Sequence, residues 1–223
     1  MLSLDEITRL QQDCVSRWHD QPIDNPYEGL LALVCQQLAY NFQLWHEEDK
    51  ARSPTASDRE IAQVKRAIDQ LNQRRNDWIE KLDDWITDEL ARRGVHPPAD
   101  APQNTETLGS TIDRLGILAL RIYHLREQLA RPDASADHRA KVASKLELAL
   151  AQHADLTRAA QQLADDLAAG RKRHKTYRQL KMYNDPTLNP YLYGTAAAPP
   201  DAPAPAPPPD TPPDSSRPAG PAE

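Results

Sequence analysis

Between Leu30 and Arg93 there is no glycine and no alternation of apolar with polar residues; apolar positions recur at steps of three and four. That is the period of an amphipathic helix, and it predicts an all-α protein. A first helix is expected from Ser3 to Trp18, and a second after Asn25-Pro26 as far as Arg52, where Ser53-Pro54 stops it. A third opens at Ser57, with Glu60 placed for a capping box, and reaches Arg93 before Gly94. Its face of Ile61, Val64, Ile68, Leu71, Trp78, Leu82 and Ile86 spans on the order of 50 Å, so a bend or break is expected near Asp83-Asp84. The proline-containing loop Val95–Gln103 divides the chain. A fourth helix follows from Thr105 to Ala130, and a fifth from Ser135 to Ala169, closed by Gly170. The fifth carries a seam of Val142, Leu146, Ala149, His153, Leu156, Ala160, Leu163 and Leu167, read as packing within the chain. The architecture expected is a single elongated helical bundle of about five helices.

Composition changes that picture at one end. Residues 194–223 hold eleven of the twenty prolines and no aliphatic or aromatic side chain larger than alanine. Such a segment cannot bury enough surface to offset its ordering entropy, so a disordered Pro/Ala-rich tail is expected beyond a bundle domain of residues 1–193. The net charge of −6 argues against general nucleic-acid binding, which draws its affinity from neutralising phosphates. Two cysteines, Cys14 and Cys35, give neither a zinc spacing nor a disulfide framework, which suits a reducing compartment. The start of the chain lacks a basic, apolar leader, and no apolar run approaches a membrane span. A cytoplasmic location is the expectation.

Candidate chemistry lies in polar residues set beside apolar helical faces. Asp69, Asn72, Asn76 and Glu80 form one stripe on the third helix, and Asn41, Trp45 and Asp49 another on the second, next to Glu48 and Arg52. His46 and Asp49 are three residues apart, as are His124 and Glu127; Glu106, Asp113 and His124 recur near whole turns of the fourth. Carboxylates facing a shared interior must meet a cation, because desolvating an unpaired ion costs several kcal/mol. Three readings stay open: a structural polar network, a divalent-metal site, and a metal-free ligand pocket. For a metal, Mg²⁺ or Mn²⁺, the candidates are His46, Glu48, Asp49, Asp69, Glu80 and His124. For a ligand they are Asn41, Trp45, Arg52, Asn72, Arg75, Asn76, Asp113 and Arg114.

The segment from Arg171 to Tyr183 carries six basic residues and no acid. It is read as a clasp over the acidic bundle, with phosphate binding through Tyr177, Arg178, Lys181 and Tyr183 as the alternative. His153 is expected as a satisfied core histidine, and His19, His96, His138 and His174 as surface or loop residues. Trp18, Trp78 and Trp85 are assigned to core or interface. No glycine-rich phosphate loop, Cys-x-x-Cys pair or nucleophile elbow occurs.

Several long blocks resemble a bacterial family known as domain of unknown function 4254. They are Asn41 to Arg52, Lys65 to Asp77, Glu106 to Leu115, Ile122-Tyr123-His124, and Tyr177 to Pro186 continuing through Leu188-Asn189-Pro190. The resemblance spans about residues 4–193, and Gly116 stands where the family pattern favours serine. It carries no established activity. It implies a context of glycosyltransferase and envelope-polysaccharide genes, and hence a glycosyltransferase or nucleotide-sugar as partner. Two functions follow as expectations: metal-dependent binding or hydrolysis of a nucleotide or nucleotide-sugar, or a non-catalytic scaffold for a glycosyltransferase. Amides interleaved with acids along the stripes favour the former, since simple ion-pair networks match opposite charges instead.

Overall fold

A computed structural model of the chain describes residues 3–179, 181–182 and 185–193. Five long helices form the compact unit that ends at Arg178: α1 (Leu4–Asp20), α2 (Gly29–Lys50), α3 (Asp58–Arg92), α4 (Leu108–Ala130) and α5 (Ala136–Ala168). A one-turn helix, α6 (Pro190–Tyr193), belongs to the residues beyond it. The all-helical architecture expected from the apolar spacing is the one observed.

The caps explain where the helices begin and end. Ser3, Ser57, Thr107 and Ser135 each accept a backbone N–H from three residues on, and Ser57 with Glu60 forms the full capping box. Gly94 and Gly170 end α3 and α5 with φ of +67° and +68°, a left-handed turn that side chains resist. Near Asp83-Asp84 α3 has no break: its 35 residues run as one helix. The Asp83 carboxylate, which would compete with local backbone groups, is instead bonded to the Gly109 N–H of α4 at 2.8 Å.

Contacts fix the directions. Cys14 lies beside Cys35 (Sγ···Sγ 3.8 Å), and five residues further along α1 the His19 ring meets Phe42, so α1 and α2 run parallel. An extended return makes this feasible: residues 21–28 reach about 26 Å, and α1 rises about the same. Asp24 pins that return by accepting from Trp18 Nε1 (3.0 Å) and Arg17 (2.6 Å). The α4 helix also runs alongside α1, with Gln11 bonded to the Ile112 carbonyl and His19 stacked on Tyr123. The α3 and α5 helices run the other way. Ile7, Leu38, Leu82, Ile112, Leu115 and Leu120 are among the core side chains with almost no exposure. The α5 seam packs within the chain, with Val142, Ala149, Ala160, Leu163 and Leu167 buried.

Residues 171–178 do fold back as a clasp. Arg171 and Lys172 pair with Asp166, the Arg173 N–H bonds the Pro102 carbonyl at 2.9 Å, and Arg178 reaches Glu80 and Asp84. His174, expected at the surface or in a loop, lies in the loop after α5 but not at the surface: its side chain is 5% exposed, with Nε2 3.2 Å from the Asp83 carbonyl. Residues from Gln179 on form a second unit. The tail from Gly194, expected to be disordered, lies outside the described residues, as does Tyr183. Among the described residues no helix is long and apolar enough to cross a membrane.

His153 sits half-buried on α5 with its Nε2 bonded to no group of the protein, so it is not the satisfied core histidine expected. Burial pushes its imidazole below the ordinary 6.5. As pH falls below that value the unfolded chain takes up the proton first, so folding stability is full above it and declines beneath it. His153→Leu is expected to flatten the fall in urea midpoint between about pH 7 and about pH 5.5. An identical slope in both proteins contradicts this; burial also lowers His19, so part of the slope remains.

Candidate functional site

At the centre of the bundle is one buried carboxylate. Asp113 of α4, 3% exposed, faces Gln37 and Asn41, one turn apart on α2, and Arg75 on α3. Its Oδ1 accepts from Gln37 Nε2 (2.5 Å), Asn41 Nδ2 (2.9 Å) and Arg75 Nε (2.8 Å), and its Oδ2 from the Arg75 Nη2 (2.5 Å). This fork of parallel bonds is the strongest geometry open to an arginine and a carboxylate. Asp113 in turn raises the Arg75 pKa above its ordinary value, against the opposing effect of burial. The helices approach closely here because Gly116 has no side chain: a Cβ would lie 3.0 Å from Leu38 Cδ1 and 3.4 Å from Gln11 Nε2 and Asn41 Nδ2.

Beside this network a cleft of about 340 Å³ opens between α2, α3 and α4. Asn41, Trp45, Glu48, Asp49, Arg52 and Arg75 supply its functional groups, with Leu44, Ile117 and Leu120 closing the apolar side. Trp45 follows Asn41 by four residues, and Glu48 and Asp49 follow Trp45 by three and four, so one face of α2 presents an amide, an indole and two carboxylates, and the turn after it adds the Arg52 guanidinium. Arg75 is held by Asp113, and Arg52 pairs with Glu48 at 2.9 Å while its side chain stays 69% exposed. The structure thus collects six sequence candidates, from α2, the turn after it and α3, into one cavity.

A second assembly lies past Trp45, whose indole stacks on His124 with centroids 5.2 Å apart and planes 9° from parallel. His19 of α1, His46 of α2 and His124 of α4 converge so that one ring nitrogen of each lies within 4.8 Å of the others. Each Nδ1 is engaged: with the Val15 carbonyl (2.7 Å), the Phe42 carbonyl (2.8 Å) and the Glu127 carboxylate (3.1 Å). The first two follow from helix geometry, since side chains lean toward the preceding turn and reach the carbonyl four residues back. Nε2 is therefore the nitrogen each ring has left, and those of His19 and His124 are buried and bonded to no protein group. Burial lowers the His19 pKa, the Val15 carbonyl opposes this, and the neighbouring His124 and His46 add to the lowering.

His19 corrects the surface assignment made for it. The signal was in the sequence: Ile7, Gln11, Val15 and His19 form one row of four-residue steps, and its first three members are buried. Gln11 and Gln37, both fully buried, were also missed, since a single glutamine within a helix carries no signal of its own. The remaining candidates do not join either site. Asp69 is exposed and paired with Lys65, Glu80 with Arg178, and Arg114 with Glu106. Among the described residues no carboxylate joins the three histidines at metal-binding range. Asn72 and Asn76 lie half-buried on α3 outside the cleft lining. Tyr177 is 70% exposed, and Lys181 belongs to the second unit.

Residues 31–176 match the model of a family described as protein of unknown function (DUF4254). Both the cleft and two of the three histidines fall inside that span; His19 precedes it. No curated protein and no solved structure matches the chain.

Proposed function

The chain belongs to the DUF4254 family, and from that premise we propose that it binds a sugar-bearing ligand of the nucleotide-sugar class in the cleft between α2, α3 and α4. The observation that carries the reading is the wall built by α2 and the turn after it: the Trp45 indole flanked by Asn41, Glu48, Asp49 and Arg52 in one cavity. A pyranose or nucleoside ring offers an apolar face that stacks on indole and hydroxyls that donate to carboxylates. Glu48 and Asp49 accept those hydroxyls, and the Asn41 amide serves a ring oxygen or hydroxyl. Arg52, whose side chain is more exposed than that of the Glu48 it pairs with, meets the phosphate at the rim. Arg75 shapes the wall without binding, because Asp113 already occupies its fork. The volume lies at the lower end of the about 300–1,000 Å³ that small-molecule sites occupy, enough for one ring and its neighbouring phosphate. The envelope-polysaccharide context that the family resemblance implies supplies ligands of this class.

The test is a thermal-shift and tryptophan-fluorescence titration of the full chain with a panel of nucleoside-diphosphate sugars, free sugars and nucleoside diphosphates. A saturable rise in Tm with at least one diphosphate sugar is expected, weakened about tenfold or more in Trp45→Ala, which loses the stacking surface. Silence across the panel, or equal affinity in the variant, overturns the assignment.

A further inference from the structure

We propose that His19, His46 and His124 bind one divalent transition-metal ion of the zinc class through their Nε2 atoms, leaving further coordination positions open. This goes beyond the cleft assignment and does not depend on it. Three independent features converge. First, the rings come from three different helices yet bring one nitrogen apiece within 4.8 Å of the others. Tetrahedral coordination at metal–nitrogen distances of about 2.0–2.1 Å places ligand nitrogens about 3.3 Å apart. No pair therefore has to close by more than about 1.5 Å.

Second, every Nδ1 is engaged: two donate to carbonyls and the third to a carboxylate. Metal-ligating histidines are oriented in this way, because the outer bond fixes the tautomer and aims the other nitrogen at the ion. Glu127 thus acts as a positioning residue for His124 and sets an acid beside that ligand. Third, Nε2 of His19 and of His124 is buried without a protein partner, a desolvation cost that a bound cation offsets. A bare aromatic cluster of Phe42, Tyr123 and Trp45 explains why the rings are packed, but not why a ring nitrogen of each comes within 4.8 Å of the others.

The ligand chemistry selects the ion. Three neutral imidazoles suit zinc, cobalt or nickel; Mg²⁺ and Mn²⁺ prefer oxygen donors, and among the described residues no carboxylate is grouped with the three rings at metal-binding range. Three protein ligands with open positions are also the pattern of zinc sites that hold water or a substrate atom, whereas structural sites are closed by four. His46 additionally lines a cavity of about 400 Å³ between α2 and α3, through which a small ligand reaches its ring.

The experiment uses the full chain stripped with chelator and titrated with Zn²⁺ by calorimetry, and with Co²⁺ by visible absorption. One equivalent is expected to bind, with cobalt d–d bands of a nitrogen-rich site and no thiolate charge-transfer band. His46→Ala and His124→Ala should each weaken binding at least a hundredfold, and Glu127→Ala about ten- to a hundredfold. The double variant Cys14→Ser, Cys35→Ser should bind as the parent does, because those adjacent thiols are the competing soft donors. Should a histidine variant fail to fold, ring nitrogen-15 shifts in the parent decide the matter. Zn²⁺ must move Nε2 of three histidines and shift Trp45 emission through its stack on His124. Absence of stoichiometric binding, a thiolate signature, or unchanged affinity in folded histidine variants overturns the site.

Discussion

Arg75→Ala is expected to lower folding stability by about 3–5 kcal/mol, measured by urea unfolding at neutral pH, the cost of leaving a buried charge without its partner. Asp113 is 3% exposed, and it keeps only the two amide donors of Gln37 and Asn41 when the guanidinium is gone. An amide N–H bonds the carboxylate but does not neutralise it, so the desolvated charge remains. Arg114→Ala is the control: it loses an ion pair to Glu106 in which both side chains are about half exposed, and such pairs contribute about 0–1 kcal/mol. The double variant Arg75→Met, Asp113→Leu should recover only part of the loss. Removing both charges relieves the desolvation, but it strands the buried amides of Gln37 and Asn41. If Arg75→Ala and Arg114→Ala destabilise equally, the buried fork is not what holds α2, α3 and α4 together.

The same network shows how far residues alone reveal a site. Helix boundaries were readable because caps are local: Ser57 with Glu60 and the glycines at 94 and 170 are decided within one turn of chain. The α2 face was readable for a similar reason, since Asn41, Trp45, Glu48 and Asp49 share a helix and their spacing fixes their common direction. What the stripes could not reveal is which of them meet. Asp69 and Glu80 have the same spacing logic as Asn41, yet one lies on solvent and the other under the clasp, because only the C-terminal half of α3 is deeply packed. His19 was passed over because it sits one residue from the helix end beside Asp20, where fraying is the ordinary expectation. Its ring is held by Phe42, Tyr123 and His124, residues 23 to 105 positions away, and no local pattern encodes that meeting.

Gly109→Ala is expected to destabilise the protein by about 2–4 kcal/mol, while Gly116→Ala stays within about 1 kcal/mol of the parent. Both glycines lie within α4, and alanine at either gains about 1 kcal/mol of helix propensity. They differ in what a Cβ would strike. At Gly116 the neighbours are the ends of side chains, Leu38 Cδ1 at 3.0 Å and two amide nitrogens at 3.4 Å, which yield by small rotations. At Gly109 they are the Asp83 carboxylate at 2.7 Å and the Ile79 carbonyl at 2.9 Å, the second being helix backbone. Asp83 is 5% exposed and caps the first turn of α4 from α3, accepting the Gly109 N–H at 2.8 Å, where the helix dipole favours an anion. Burial raises the Asp83 pKa, while Thr107 and the Gly109 N–H oppose that rise. A methyl group there pushes the carboxylate off the N–H, leaving a buried acid and a helix-end donor unpaired. It also separates α4 from α3 where Leu82 and Leu108 are packed out of solvent. Urea midpoints of the two variants measured side by side decide the point, and equal losses would mean that α3 and α4 are not docked through this contact.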